Sequence, residues 1–411
     1  MDVVYQRCAG LDVHQETVVA CVLVSEGRRV HKQTRTFRTM TRDLADLSAW
    51  LGEQQVERVA LESTGVYWWP VFNLLEEGGH AVMLVNPQHV KQVPGRKTDV
   101  RDSEWLAELL RHGLLKASFI PPVAIRELRE LTRYRAAQME QRSTEINRLH
   151  KVLESANLKL AVVATDVLGL SGQQMLRALA AGEEDPALLA DMAKGKLRAK
   201  LEDLERALEG RVKAHHRLLI GTILDHIRYL TGAIARLDEQ LAVALRPFAT
   251  EIALLDSIAG IGPTAAAAIL AEVGADMGAF GSDKQLASWA GLCPGNRQSG
   301  GRRLSGRITK GNVWLRRILG QVAWAAVRER GSSFGARYRR LCRRQGEQKA
   351  IVAVMHNLLR VIYHVLRDRA PYQELGADYY QPSDPARATQ RLVKGLERLG
   401  YAVTLAPTAV A

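Results

Sequence analysis

Four acidic residues stand at positions where an apolar or neutral residue would be the default. Asp12 lies inside the strand-like run Gly10-Leu11-Asp12-Val13, and a carboxylate there must be hydrogen-bonded, paired or bound to a cation, because burying it bare is very costly. Glu62 ends the apolar run Val59-Ala60-Leu61. Asp99 and Asp102, in Lys97-Thr98-Asp99-Val100-Arg101-Asp102, are three residues apart at a helix start, which puts both on one helix face. Taken singly, each has a structural reading; acids at a helix N-terminus complement its dipole. Taken together, convergent carboxylates repel and need divalent cations between them. Mg²⁺, with Mn²⁺ as the alternative, would activate one oxygen and stabilise another in phosphodiester chemistry.

Two further motifs lie in the second half. Ile258-Ala259-Gly260-Ile261-Gly262-Pro263 separates two helical stretches and reads as the hairpin of a helix–hairpin–helix unit. Its glycines, Gly260 and Gly262, permit the tight turn and expose amides that bind phosphate oxygens without reading sequence. The run Gly291-Leu292-Cys293-Pro294-Gly295-Asn296-Arg297-Gln298-Ser299-Gly300-Gly301-Arg302-Arg303 sets a serine before two glycines, among arginines. A serine hydroxyl is a weak nucleophile until a base, a metal or a cationic surround activates it; spacing alone leaves Ser299 a loop serine.

The elements that must position these residues follow from hydrophobic patterning. Strands are expected at Arg7–Val13, Thr17–Val24 and Gln33–Arg38, then a helix at Arg42–Gln54, a strand at Arg58–Leu61, a helix at Trp69–Glu77, a strand at Ala81–Val85 and a helix from Asp99 to His112. A three-stranded meander followed by alternating helix and strand is the element order of a ribonuclease H-like α/β domain, in which the first and fourth strands are neighbours. The actin-like sugar kinases share this beginning, but they need a glycine-rich phosphate turn that Asp12-Val13-His14-Gln15-Glu16-Thr17 lacks.

After Pro121-Pro122 the texture becomes almost wholly helical up to Arg246. Ile220, Ile223, Ile227, Leu230, Ile234, Leu237, Leu241 and Ala244 alternate three- and four-residue steps, a coiled-coil seam. A preceding helix, Ile125–Leu158, carries Arg135 and Arg142 near seam positions. An intramolecular hairpin and a dimerisation arm bury the same stripe, and spacing does not choose between them. The expected organisation is 1–118, α/β; 119–246, helical coiled coil; 247–370, all-α with the helix–hairpin–helix and serine loop; 371–411, a polar tail.

The charge balance has an address. The chain of 411 residues carries a formal +13, and between Asn296 and Lys349 there are 15 Lys/Arg against two acids, Glu329 and Glu347, which accounts for the whole excess. One confined basic block points to a polyanion-binding surface rather than to a generally adhesive protein. The four cysteines are scattered without metal or disulfide spacing and read as buried hydrophobes of a reducing compartment. The longest apolar run near the N-terminus, Val18–Val24, falls far short of the roughly 20 residues of a membrane helix. A cytoplasmic protein without membrane association is expected.

These residues resemble the DEDD transposases of the insertion-sequence 110 family, the 116/110/902 group. Gly10-Leu11-Asp12-Val13-His14, Leu61-Glu62-Ser63-Thr64-Gly65, Asn86-Pro87 and Lys97-Thr98-Asp99-Val100-Arg101-Asp102 are similar to the family's amino-terminal domain. Gly260-Ile261-Gly262-Pro263, Gly291-Leu292-Cys293-Pro294, Gln298-Ser299-Gly300 and Ile308-Thr309-Lys310-Gly311-Asn312 are similar to its carboxy-terminal domain, in the family's order. Ser103 and Ala259 depart from the family pattern, where Ala and Pro are usual.

The resemblance implies an amino-terminal fold of the RuvC resolvase type, with Asp12, Glu62, Asp99 and Asp102 as a metal-binding tetrad and Ser299 as the catalytic serine. It implies donor and target DNA as substrates, a structured non-coding guide RNA as partner, and a homo-oligomer, dimer or tetramer, joined through the helical arm. Arg297, Arg302, Arg303, Arg307, Lys310, Arg316 and Arg317 would grip nucleic-acid phosphates beside the serine. The competing expectations are a Holliday-junction-resolvase-like metal nuclease using water, and a nucleic-acid-binding protein without catalysis.

Overall fold

Strand β1 (Arg7–Val13) is apolar on both faces, and it lies at the centre of a five-stranded sheet of order β3-β2-β1-β4-β5. This computed structural model describes residues 2–27, 29–63, 65–87, 90, 102–295, 297–380 and 385–406. It divides into two units, Met1–Ile120 and Pro121–Ala411. In the first unit, β2 (Thr17–Glu26) and β3 (Arg29–Arg38) extend the sheet antiparallel to β1, while β4 (Arg58–Glu62) and β5 (Val82–Val85) continue it in parallel. This is the mixed sheet that the meander-then-alternation pattern predicts. One face is covered by α1 (Thr41–Glu53) and α2 (Trp68–Glu77), with Leu11, Leu47, Leu61 and Leu75 in a common core. The other face carries α3 (Asp102–Arg111), which packs Ala107 and Leu110 on Cys8, Cys21 and Ala60. Burial on both faces explains why β1 and β4 read as continuous apolar runs.

Two differences from the sequence expectation have physical reasons. Strand β3 begins at Arg29, four residues earlier than expected, because its residues are nearly all exposed and carry no apolar alternation; pairing with β2 forms the strand. Helix α3 is described from Asp102 onward, so Asp99 lies outside the described residues.

Among the described residues, the second unit is helical apart from one β-ribbon. Helices α4 (Val123–Ser155) and α9 (Ala214–Ala244) pack along each other. Ile220, Ile223, Ile227, Leu230, Ile234 and Leu241 of the expected seam are buried within the chain. Seam arginines reach across the pair: Arg135 to Asp238, and Arg142 Nε donating to Thr231 Oγ1 at 2.9 Å. At the far end α5 (Leu160–Val163), α6 (Leu170–Ala181), α7 (Pro186–Asp191) and α8 (Leu201–Leu208) close around Leu149, Leu153, Met175, Leu176, Leu204 and Ile220.

The remaining elements are α10 (Ala249–Asp256), α11 (Pro263–Val273), α12 (Asp283–Trp289), the ribbon β6 (Arg297–Ser299) and β7 (Arg302–Ser305), α13 (Val313–Arg328), α14 (Ser333–Gln345), α15 (Glu347–Asp368) and α16 (Pro385–Arg398). Helix α15 packs against α10, α12, α13 and α14. By length and composition α9 and α15 could each cross a membrane; both bury apolar stripes inside this unit.

Candidate active-site elements

In the amino-terminal unit, the register of β1 on β4 pairs Leu11 with Leu61, so Asp12 and Glu62 occupy the next equivalent positions of two adjacent parallel strands. Side chains alternate along a strand, so Asp12 shares a face with Cys8 and Gly10, and Glu62 shares a face with Ala60. Cys8 and Ala60 pack on α3, so both acids belong to the α3 face at the carboxyl end of the sheet.

Helix α3 runs antiparallel to β1 at very short range. Val4 N–H donates to Arg111 O at 2.8 Å, and Cys8 Sγ donates to Ala107 O at 3.4 Å. A Cβ at Gly10 would lie 2.2 Å from Ser103 O and 2.4 Å from Ala107 N. Only glycine permits this approach. The march from Arg111 through Ala107 to Ser103, against Val4, Cys8 and Gly10, carries the helix start and Asp102 toward the Asp12 end of the strand.

Asp12 Oδ2 lies 3.2 Å from His14 Nε2, with the acid 30% and the imidazole 61% exposed. His14 was not singled out by type or spacing. The signal available was its place two residues beyond Asp12, on the same side of the chain. Among the described residues, no three His, Cys, Asp or Glu side chains are grouped closely enough to hold an ion. The donor chemistry nevertheless fits a hard divalent cation, which takes carboxylate oxygens: Asp12 and Glu62 from neighbouring strands, with Asp102 on the helix above the same face. Burial pushes the Cys8 thiol up to about 12 and also raises that of Cys21, which makes both poor nucleophiles.

In the second unit, Ser299 is the last residue of β6 and pairs with Arg302 of β7. Gly300 and Gly301 join the two strands with φ of 54° and 77°. Two consecutive positive φ angles in a two-residue loop are what a type I′ hairpin turn requires, and glycine supplies them without strain. The sequence reading expected only a loop region here, since a Gly- and Arg-rich ribbon has no apolar alternation.

The ribbon is tied down at its root. Gly295 N–H donates to Arg307 O at 2.8 Å, and Pro294 bridges Ile308. A Cβ at Gly291 would lie 2.7 Å from Gly311 N, so these two loops meet glycine on glycine.

The expected phosphate-binding residues separate into groups. Arg297 lies on β6, and Arg302 and Arg303 on β7. Arg307 and Lys310 are exposed in the segment between the ribbon and α13. Arg316 and Arg317 stand on the first turns of α13, where Arg317 pairs with Glu140 of α4 at 2.9 Å and lies 5.4 Å from the Trp314 ring centre. Gly260 faces inward: with φ of +83° it packs against α13, and a Cβ there would lie 2.6 Å from Ala326 N. Gly262, at the N-terminus of α11, has open space beside it. A basic feature not singled out beforehand is a pocket of about 350 Å³ lined by Arg337, Arg340, Leu341 and Arg344. Their spacing on α14 puts the three arginines on one helix face.

Comparison with known proteins gives these parts a common frame. A family model of DEDD transposases of the IS110 type matches residues 9–158, and one described as transposase, IS116/IS110/IS902 family, matches residues 252–339. A probable family 20 transposase from Pseudomonas aeruginosa is 29% identical over 321 residues, 77% of this chain and 85% of that protein. A pilin gene-inverting protein from Moraxella bovis is 31% identical over 156 residues, 36% of this chain and 48% of that protein. Among solved structures, T. thermophilus RuvC in complex with a Holliday junction substrate aligns over 28% of this chain and 99% of that one, with 17% identity. Its TM-score of 0.21 is too low to establish a shared fold. The two family models follow one another in chain order and together span more than half of the sequence: the chain belongs to the IS116/IS110/IS902 family of DNA transposases.

Proposed function

We propose that this transposase cuts and rejoins DNA with Ser299 as nucleophile and with Asp12, Glu62, Asp99 and Asp102 as ligands of Mg²⁺ or Mn²⁺. The observation that carries the reading is the acid corner. Asp12 and Glu62 occupy equivalent positions on adjacent strands, and Gly10 lets the helix bearing Asp102 lie directly on that face. When bound, the cation neutralises phosphate charge and stabilises the departing oxygen.

The chain's own residues do the rest. The Ser299 Oγ attacks phosphorus, its proton passes through water to the departing deoxyribose oxygen, and one serine–phosphate ester replaces one sugar–phosphate ester. His14, hydrogen-bonded to Asp12, orients that carboxylate. Arg302, Arg307 and Lys310, exposed beside the ribbon, hold the backbone phosphates without reading bases. Arg297, Arg303 and Arg316 would bind further phosphates, and Gly262 at the helix–hairpin–helix turn would offer its amide to another. Target choice would come from a structured non-coding RNA paired to donor and target DNA, with two or four copies of the chain in the cytoplasmic assembly. Its support is the family resemblance.

The test is incubation with DNA carrying the element's ends, followed by denaturing electrophoresis. A covalent protein–DNA adduct is expected from the unaltered chain and none from Ser299→Ala, with both adduct and cleavage lost in Asp12→Asn. Cleavage that persists without an adduct in Ser299→Ala would assign the nucleophile to water. Salt-sensitive binding without cleavage by the unaltered protein would leave only a binder.

A further inference from the structure

The carboxylate of Glu272, near the end of α11, is 2% exposed and is shared among three elements of the second unit. Arg133 of α4 grips it with two hydrogen bonds, Nε to Oε1 at 2.7 Å and Nη2 to Oε2 at 2.8 Å. Arg129, one turn earlier on α4, donates to the backbone oxygens of Ala271 and Glu272 at 2.9 and 2.8 Å, capping the end of α11. Arg129 Nε also lies 3.5 Å from Glu272 Oε2, and Asn312 Nδ2 donates to the same oxygen at 2.5 Å.

Asn312 is also the N-cap of α13, its Oδ1 accepting from Leu315 N–H at 3.0 Å. It follows directly on Gly311, which is locked against Gly291, and therefore stands at the root of the Ser299 ribbon. A side chain that satisfies both ends of its amide, one on a buried carboxylate and one on a helix start, has a single orientation. The ribbon itself has only two short strands, and an isolated two-stranded hairpin is marginally stable at best. Its direction must come from its root.

We propose that Glu272 is a positioning residue for the Ser299 ribbon. Held by Arg133, it fixes Asn312 and through Asn312 the ribbon root, so the long helix α4 and the nucleophile loop are mechanically coupled. The proposal rests on the reading of Ser299 as the nucleophile for its catalytic meaning, and on geometry alone for the coupling.

Asn312→Asp tests it cleanly, because Asp is as good an N-cap as Asn but offers no donor and sets a second carboxylate against Glu272. Glu272→Gln in the same chain restores that hydrogen bond with donor and acceptor exchanged; it gives up the one from Arg133 Nη2 and keeps the one from Arg133 Nε to Oε1. Hydrogen–deuterium exchange of backbone amides between residues 294 and 308 is measured in the full-length protein. The expected result is exchange about tenfold faster in Asn312→Asp and a return to within about threefold of the unaltered protein in the double variant. The DNA adduct yield should fall and recover in parallel.

Unchanged exchange in Asn312→Asp would overturn the coupling, as would a double variant that stays as fast as the single one. The exchange measurement needs neither DNA nor cleavage. Failure of the Ser299→Ala adduct test would thus leave the coupling standing, and failure of the coupling would leave the nucleophile standing.

Discussion

Asp12 and Glu62 sit on strands buried on both faces, whereas Ser299 ends a three-residue strand of a ribbon tied down at its root. The acid corner inherits its geometry from a sheet register and from one close helix approach at Gly10, and both are properties of a packed core. The serine ribbon inherits its geometry from one two-glycine turn, a loop-to-loop contact and, on the proposal above, one buried polar cluster. Where packed elements set a site's geometry, a change that disturbs the packing itself loses function and stability together. A site on a ribbon can lose position while the fold keeps its stability. Variants in the two regions should therefore differ in kind.

The largest effect is expected in the acid corner. Glu62→Gln keeps the volume and removes the charge, and DNA cleavage should fall by about 10³-fold, or about 4 kcal/mol of barrier, with the melting temperature unchanged or raised. Cleavage within tenfold of the unaltered chain would remove Glu62 from the site.

Gly10→Ala comes next. Its Cβ would collide with backbone atoms of α3, and overpacking of this kind costs about 3 kcal/mol. Calorimetry should show lowered stability, and cleavage should fall with it, since Asp102 moves with the helix. If stability fell while cleavage held, the close approach would be structural only.

The ribbon should behave in the opposite way. Gly301→Ala forces a side chain into the left-handed region at a cost of about 1 kcal/mol, too local to shift the melting temperature of the unit. Adduct formation should nevertheless drop about tenfold if the turn sets the serine's position. Gly300→Asn sharpens the point, because Asn-Gly is a favoured type I′ pair and should keep most of the activity.

The smallest effect concerns the pairing of α12 with α15. Arg360 on α15 holds the Asp283 carboxyl below its ordinary value near 3.8 through a hydrogen bond, against the opposing effect of burial. A carboxyl lowered in the folded state stabilises above its unfolded value, and that contribution is lost as pH falls through the folded value. The difference in melting temperature between the unaltered protein and Asp283→Asn should thus be full at pH 7 and shrink below pH 4. A difference that grew toward acid would reverse the assignment.

How much of this was legible in the sequence follows the same division. Strands β1, β2 and β4 were readable because their apolar runs are long and bounded by turns. The placement of Asp12 and Glu62 within those runs marked them as unusual. The edge strand β3 was under-read because its side chains face solvent, so pairing alone defines its start. The seam of α9 was visible, but its partner was not: a three-and-four spacing is equally satisfied by α4 or by a second chain, and α4 takes it.

The ribbon and its anchor were hidden for different reasons. Gly300-Gly301 reads as a loop until the strands beside it pair, and the arginines around it mask any alternation. Glu272 looked like one acid in an alanine-rich helix; its contacts lie 40 residues from Asn312 and 139 from Arg133, and no local pattern reports such distances. Gly260 was legible as a turn glycine but not as a packing surface for α13.

The central claim is that a serine on a ribbon in one unit becomes bonded to DNA in a reaction that requires the acids of the other. Its most direct measurement is to trap the reaction, digest the DNA and protein, and map the modified peptide by tandem mass spectrometry. A nucleotide remnant on Ser299, absent when Asp12 is replaced by Asn, is the expected result. A remnant on any other side chain, or one on Ser299 that persists in Asp12→Asn, would contradict it.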